Sequence, residues 1–138
     1  MTSFVEPQPA NIRECWGKVK EGLESILKEI PQLSFLPEDV YSECVNGRAH
    51  LFTSPIGFVV LTTEIDSFTG EKTLLIWLAY VYEKGKHNWF SHVKWFEGLA
   101  KNAGCKYLEA RSPIPQLEEY FTACGWSLDT KVFTREVK

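Results

Sequence analysis

The sequence predicts a mixed α/β domain whose central sheet carries helices on both faces. Three observations support this class. The chain has 138 residues, which is the usual length of one domain. Hydrophobic residues make up 44% of it, enough to build a sizeable core. Segments with helical periodicity alternate with short β-rich runs, in the order helix, helix, three strands, helix, strand, helix, strand.

The first ten residues predict an extended segment, with an edge strand near residues 2–5 that Pro7 and Pro9 end. Asn11 is placed to cap the helix that follows. Apolar residues then recur at spacings of three and four until Pro31, which is typical of one face of an amphipathic helix. This stripe consists of Ile12, Trp16, Val19, Leu23, Ile26, Leu27 and Ile30.

The middle of the chain predicts a second helix and then an antiparallel meander. The helix starts at Pro37, which suits a first helical position, and stops at Asn46-Gly47. Two short β-rich runs, residues 49–53 and 58–63, flank a Ser-Pro-Ile-Gly turn and predict a hairpin. A further turn is expected over residues 66–71.

Residues 73–82 are nearly all apolar, which predicts a central strand covered on both faces. Asn88 is expected to cap a helix over residues 89–103, which Gly104 ends. A strand over residues 106–110, a helix over residues 115–123 and a bent strand or hairpin over residues 127–137 complete the order. The strand–helix–strand unit requires a parallel pair with a right-handed crossover.

Charge and cysteine spacing exclude several functions. The formal net charge is −3, so we do not expect nucleic-acid binding through a broad positively charged surface. Binding through a local basic patch is still compatible with this charge. No apolar run approaches a membrane span, and the first ten residues show no secretory signal. The four cysteines lack paired spacing, so we expect no metal site, and reduced, mostly buried thiols in a cytoplasmic protein.

The order of the elements resembles the GCN5-related N-acetyltransferase (GNAT) fold over roughly residues 10–138. In that family the fourth strand leads into a pyrophosphate loop of the form R/Q-x-x-G-x-G/A, followed by a helix. Residues 73–82 resemble this strand, and the loop then aligns with residues 82–87. Gly85 matches the motif, while Tyr82 stands in place of Arg or Gln, and His87 in place of Gly or Ala.

The resemblance implies a binding site for acetyl-CoA along the strand and the loop. The strand residues Leu78, Tyr80 and Tyr82 would hold the thioester part through backbone groups. Glycine allows the backbone to approach a phosphate closely, and a helix N-terminus favours anions. The loop residues predicted to bind the cofactor are Lys84, Gly85, Lys86, His87 and Asn88. A solvated loop that merely joins a strand to a helix is the alternative.

Acetyl transfer to an amine requires a general base, and the leaving thiolate benefits from a general acid. Glu83 and Glu109 are the best-placed acidic residues, and Glu64 is a weaker candidate. Many family members carry a Tyr four residues before a Gly-aromatic pair, and the equivalent pair here is Gly125-Trp126. Phe121 occupies that position and has no hydroxyl group, so the neighbouring Tyr120 is the candidate acid.

The resemblance therefore predicts a GNAT-type N-acyltransferase or CoA-binding protein. Such a protein would transfer an acetyl group from acetyl-CoA to an unidentified amine, either a small molecule or a protein. The alternative is a catalytically inactive GNAT-fold protein that binds another protein, as in small GNAT-like proteins of tailed bacteriophages, located in the host cytoplasm or the virion. A metal or nucleotide enzyme on an unrelated α/β fold is a third option. Most aromatic residues lie on core stripes, but Trp95 lies off its stripe and is a candidate for an exposed interface.

Overall fold

The computed structural model of the chain describes residues 5–83, 85, 88–111, 121–128 and 132–137. Within these ranges it contains strands β1 to β5, helices α1 to α3 and a 3₁₀ turn. In chain order they are β1 (Gln8–Pro9), α1 (Ile12–Glu29), α2 (Pro37–Val45), β2 (His50–Ser54), β3 (Gly57–Ile65), β4 (Lys72–Val81), the 3₁₀ turn (Trp89–His92), α3 (Val93–Asn102) and β5 (Tyr107–Ala110).

The five strands form one sheet in which the spatial order follows the chain order, β1-β2-β3-β4-β5. Neighbouring strands from β1 to β4 are antiparallel, and β5 runs parallel to β4. The chain passes from β4 to β5 through the 3₁₀ turn and α3, as a parallel pair requires. The predicted mixed α/β architecture is thus confirmed.

Each face of the sheet carries its own apolar core. On one face Val19 and Leu23 of α1 pack with Phe58 and Val60 of β3 and with Leu78 of β4. On the other face the cluster contains Trp89, Phe96 and Ala100 together with Val59, Leu61, Leu74 and Ile76. Alternate residues of β3 therefore serve opposite cores, as the two-residue period of a strand requires.

A β-bulge interrupts this alternation in β4. Leu61 pairs with Ile76, whereas the preceding Val60 pairs with Leu78, so Trp77 is an extra residue on β4. Trp77 and its neighbour Leu78 consequently pack toward the same face, the one that α1 covers. A bulge of this kind bends a strand and increases its local twist.

The structure corrects the predictions at the N-terminus. Among the described residues the edge strand is Gln8–Pro9, which includes one of the prolines expected to end it; the predicted strand over residues 2–5 is described only at Val5, which is not in a strand. Pro9 is tolerated because β1 is the edge strand, where a proline need not donate to a neighbour. The next amide, at Ala10, donates to the Leu51 carbonyl oxygen at 2.9 Å.

Two predictions concern the C-terminal residues, a helix over residues 115–123 and a strand over residues 127–137. Residues 121–123 are helical, and the rest of the predicted helix 115–123 lies outside the described residues. Residues 127, 128 and 132–137 adopt no strand, so the predicted last strand is wrong for the part that is described. Val132, Phe133 and Val137 are almost fully exposed. An alternating pattern alone does not make a strand, because a strand also needs a partner for its backbone.

The thiols and Trp95 also depart from expectation. All four cysteines are free, with Cys15, Cys44 and Cys105 half-buried and Cys124 exposed. Burial raises the pKa of the Cys44 thiol to about 11, so this group is protonated at neutral pH. Trp95 is half-buried, with its ring 5.4 Å from that of Phe52, so it offers no exposed interface. None of the described helices has the length and apolar character to cross a membrane.

Candidate functional site

Among the described residues, β5 pairs with only the first half of β4. The last residue pair between them is Ile76 with Ala110, whereas β4 continues to Val81. The bulge residue Trp77 comes directly after this last pair. On the β5 side, the second half of β4 thus has no described strand beside it. The bend that a bulge produces therefore lies where the described pairing between β4 and β5 ends.

One hydrogen bond shows which way the backbone N–H and C=O groups face in the second half of β4. The Tyr82 N–H donates to the Ile56 carbonyl oxygen, across toward β3, at 2.9 Å. Backbone groups point to alternate sides along an antiparallel pair, so those of Tyr80 and Leu78 also face β3. The N–H and C=O groups of Ala79 and Val81 therefore face the β5 side, where the described residues place no paired strand.

Sequence reasoning chose Leu78, Tyr80 and Tyr82 for the backbone contacts, and the neighbouring residues Ala79 and Val81 were missed. The hydrophobic pattern identifies which side chains share a face, but not which amides face which neighbouring strand. That second property depends on the register with β3, for which the sequence carries no direct signal.

Side chains of the three predicted strand residues pack on the face that α1 covers. Leu78 is only 5% exposed, and the Tyr80 ring lies 5.4 Å from the ring of Phe58 and 6.0 Å from that of Tyr82. Burial raises the pKa of the Tyr82 phenol, with smaller contributions from Cys15 and Tyr80. The Tyr82 side chain is thus a neutral ring that supports β4 from this face.

Beyond β4, the loop is described at Tyr82, Glu83, Gly85 and Asn88. Gly85 has φ +79°, which favours glycine, and an added Cβ would meet none of the described residues within 4 Å. None of the described residues therefore blocks the approach of a ligand to the Gly85 backbone. Lys84, Lys86 and His87, the predicted charged residues of the loop, lie outside the described residues, so their role stays a prediction.

The helix after the loop begins differently from the prediction. Residues Trp89–His92 form a 3₁₀ turn, and the α-helix starts at Val93 with no side-chain cap from His92. Trp89 is 3% exposed, and its indole Nε1–H donates to the Tyr80 carbonyl oxygen at 2.8 Å. This bond ties the first turn to β4. The Asn88 carbonyl accepts hydrogen bonds from the Ser91 amide and hydroxyl groups, at 3.3 and 2.6 Å.

The two predicted bases, Glu83 and Glu109, lie at different distances from the bulge at Trp77. Glu83 is exposed and follows Trp77 by six residues, which corresponds to roughly 20 Å along an extended chain. Glu109 is half-buried on β5, opposite Leu75 of β4, and is therefore two positions from the bulge. Register thus favours Glu109 over Glu83 as a group acting near the bulge.

Arg111 joins Glu109 to the weaker candidate Glu64. Its Nε donates to Glu109 Oε1 at 2.5 Å, and its Nη2 donates to Glu64 Oε2 at 2.9 Å. The hydrogen bond with Glu109 is the largest cause of the raised pKa of the Arg111 guanidinium. The two carboxylates, on β3 and β5, are therefore held on opposite sides of β4 by one cation.

The predicted acid Tyr120 lies outside the described residues. Its neighbour Phe121 packs its ring 5.5 Å from that of Trp126, and the Trp126 amide donates to the Phe121 carbonyl oxygen at 2.9 Å. Phe121 is therefore a packing residue. Among the described residues, no group of three or more histidine, cysteine, aspartate or glutamate side chains could hold a metal ion.

Comparison with known proteins places this geometry in a fold family. No family defined by sequence matches the chain, and no curated protein matches it. Solved structures do match over nearly their whole length. Ribosomal-protein-alanine N-acetyltransferase from Brucella melitensis biovar Abortus 2308 has a TM-score of 0.72 at 13% identity, covering 96% of this chain and 100% of that chain.

Two eukaryotic structures agree with this result. Glucosamine-6-phosphate N-acetyltransferase from Arabidopsis thaliana has a TM-score of 0.68 at 11% identity, covering 99% of this chain and 100% of that chain. An acetyltransferase from Trypanosoma brucei has a TM-score of 0.64 at 10% identity, covering 96% of this chain and 99% of that chain. The chain therefore has the GNAT fold, as its element order predicts.

Proposed function

We propose that the protein is a GNAT-type N-acyltransferase that binds acetyl-CoA and transfers its acetyl group to an amine. The observation that carries this proposal is that, among the described residues, β5 pairs with β4 only as far as Ile76, one residue before the bulge at Trp77. It leaves the backbone groups of Ala79 and Val81 directed to a side where no described strand pairs with them. The similarity of the whole fold to structures named as acetyltransferases supports it.

The site suits the chemistry of coenzyme A. The pantetheine arm contains two amide groups on a narrow chain, so it can pair with a strand edge much as an extended peptide does. Ala79 and Val81 would provide that edge. The loop that follows β4 would then receive the diphosphate, with Gly85 allowing close approach and the predicted charges of Lys84 and Lys86 beside it. A bound acetyl-CoA supplies an activated thioester.

In the proposed transfer the acceptor nitrogen bonds to the acetyl carbon, and the bond from that carbon to sulfur breaks. The amine gives up one proton, and the departing thiolate takes one. Glu109 is the proposed base because it lies two positions from the bulge on the neighbouring strand. Tyr120 remains the predicted acid.

One described residue favours the non-catalytic alternative. Phe121 occupies the position where a GNAT enzyme commonly has its acid, and it packs against Trp126 instead. A GNAT-fold protein that has kept the binding site and lost the acid would bind CoA without transferring acetyl groups. A protein-binding role, including one in a phage virion, stays a prediction.

Titration with CoA and acetyl-CoA tests the proposal, by calorimetry and by the shift in melting temperature. At a ligand concentration 100-fold above Kd, binding adds about 2.7 kcal/mol of stability. For a domain of this size this corresponds to a rise in Tm of roughly 9 °C. No heat and no shift at millimolar CoA would refute the proposed function. Binding without acetyl transfer to any amine in a panel would instead support the non-catalytic alternative.

The role of Glu109 has a matched control in the same ion-pair network. Glu109→Gln should lower kcat by about 100-fold, because a general base typically contributes a factor of that order or more. Glu64→Gln removes the other carboxylate bound to Arg111 and should leave kcat nearly unchanged. Equal losses in both variants would show that the network acts only by supporting the sheet.

A further inference from the structure

Lys18 brings a positive charge from α1 to the end of β4. Its Nζ lies 4.4 Å from the centroid of the Tyr82 ring, which is a cation–π contact. The ring is half-buried and packs edge-on against Tyr80 at 6.0 Å, so its position is fixed by the core. The ammonium group is thereby held beside the residue from which the loop of residues 83–88 starts.

Within the described part of the chain, the charge of Lys18 has no carboxylate partner. Among the described residues no aspartate or glutamate forms an ion pair with it, whereas Lys20, two residues along α1, lies 3.6 Å from Glu38. An ammonium group over a ring contacts the ring on one side only. Its remaining N–H donors, on an exposed side chain, are available to an anion.

The first position of the loop has no positive charge of its own, and this contact brings one to it. The first loop position holds Tyr82, an aromatic residue that carries no charge at neutral pH. The next charged residues, Lys84 and Lys86, come later in the loop. The ring of Tyr82 instead contacts the ammonium group of Lys18, which α1 places near the end of β4 where the loop begins.

We propose that Lys18, positioned by the Tyr82 ring, binds the diphosphate of the acyl-CoA, so that this pair adds a positive charge at the start of the loop. The inference rests on the proposed function, because it assigns one further residue to the same ligand. Lys18 acts on the phosphates only, and takes no part in the transfer of the acetyl group.

Two variants of Lys18 and one of its neighbour test the contact by calorimetry with CoA. Lys18→Gln should raise Kd by about tenfold, which is typical for loss of a charge-assisted hydrogen bond, and should flatten the dependence of Kd on salt. Lys18→Arg should retain most of the affinity. Lys20→Gln is the matched control on the same helix and should bind CoA as the wild type does.

Substitutions at Tyr82 test the positioning role. Tyr82→Phe keeps the ring and should preserve affinity, whereas Tyr82→Leu removes the ring and should weaken CoA binding. The double variant Lys18→Gln with Tyr82→Leu should bind no more weakly than the weaker single variant, because both changes disrupt one interaction. Additive losses would overturn the positioning role of the ring.

A thioester without phosphates separates this role from a structural one. S-acetylpantetheine shares the reactive group and the pantetheine arm with acetyl-CoA but carries no diphosphate. Lys18→Gln should raise KM for acetyl-CoA and leave KM for S-acetylpantetheine unchanged, with kcat unchanged for both. Equal effects on both substrates would overturn the inference. If the wild type binds CoA and Lys18→Gln binds it equally well, only this inference fails, whereas a wild type that binds no CoA refutes the proposed function itself.

Discussion

Replacement of Gly22 by alanine tests how closely α1 packs on the sheet. Gly22 is buried on α1, and a Cβ added there would lie 2.5 Å from a ring carbon of Phe58 and 2.9 Å from one of Tyr80. The Phe58 ring is fully buried and cannot rotate into solvent. The shorter contact falls about 1 Å below ordinary van der Waals separation, so the helix or the ring must move.

The expected magnitude combines two opposing effects. Overpacking of a tight core costs about 1–3 kcal/mol. An alanine in place of glycine inside a helix contributes about 1 kcal/mol in the opposite direction. Gly22→Ala should therefore lower the free energy of unfolding by about 1 kcal/mol. For a domain of 138 residues this corresponds to a fall in Tm of roughly 3 °C.

Gly17 provides the control on the same helix. It is exposed, and an added Cβ would meet no other atom within 4 Å. Gly17→Ala should gain only the helical contribution and raise Tm by roughly 3 °C. Thermal unfolding followed by circular dichroism measures both variants. A rise in Tm for Gly22→Ala equal to that for Gly17→Ala would show that α1 does not approach the sheet as closely as described.

Three further predictions concern stability and reactivity. Asn11→Ala should lower the free energy of unfolding by about 1 kcal/mol in urea denaturation, because the Asn11 side chain accepts the Arg13 N–H at 3.0 Å. Hydrogen bonds from the Thr69 and Phe68 amides lower the pKa of the Asp66 carboxyl group, so its stabilising effect is present at neutral pH and is lost as pH falls. The deficit of Asp66→Ala should accordingly shrink below about pH 4; a constant deficit would contradict this assignment. Cys44, whose pKa is raised to about 11 by burial, should react with iodoacetamide more slowly than exposed Cys124, as mass spectrometry of peptides would show.

Much of the fold could be predicted because its signals are local. The stripe from Ile12 to Ile26 follows helical spacing, and the predicted cap Asn11 does accept a backbone hydrogen bond. The apolar run over residues 73–82 predicts a strand buried on both faces, and β4 indeed contributes to both cores. In each case a period of two or 3.6 residues, or a single capping side chain, determines the structure.

The remaining features depend on contacts between distant residues. The bulge at Trp77 arises from a shift in pairing with β3, and the 3₁₀ turn at Trp89–His92 is tied to β4 by the bond from Trp89 to Tyr80. Neither feature leaves a periodic pattern. Packing of Trp95 against Phe52 is likewise long-range, which is why a residue off the helical stripe is nevertheless half-buried.

The candidate site was predictable as a region but not as a set of atoms. The order of elements predicts that β4 and its loop carry the site, and Glu109 lies beside the bulge as a sequence candidate should. Ala79 and Val81 could not be chosen, since apolar side chains reveal nothing about their amides. Lys18 is separated from the loop by more than one element of the chain, and only the folded structure brings it to Tyr82.

The sequential order of the sheet has a consequence for synthesis on the ribosome. Hairpins β2–β3 and β3–β4 join neighbours in the chain and can close soon after they emerge. The apolar stripe of α1, however, packs on Phe58 and Leu78, and Leu78 follows Ile26 by about 50 residues. At ordinary rates of translation, roughly 3–10 s pass between the synthesis of this stripe and that of the strand that covers it. We therefore expect the nascent chain to be most prone to aggregation, and most dependent on chaperones, in the interval before β4 is complete.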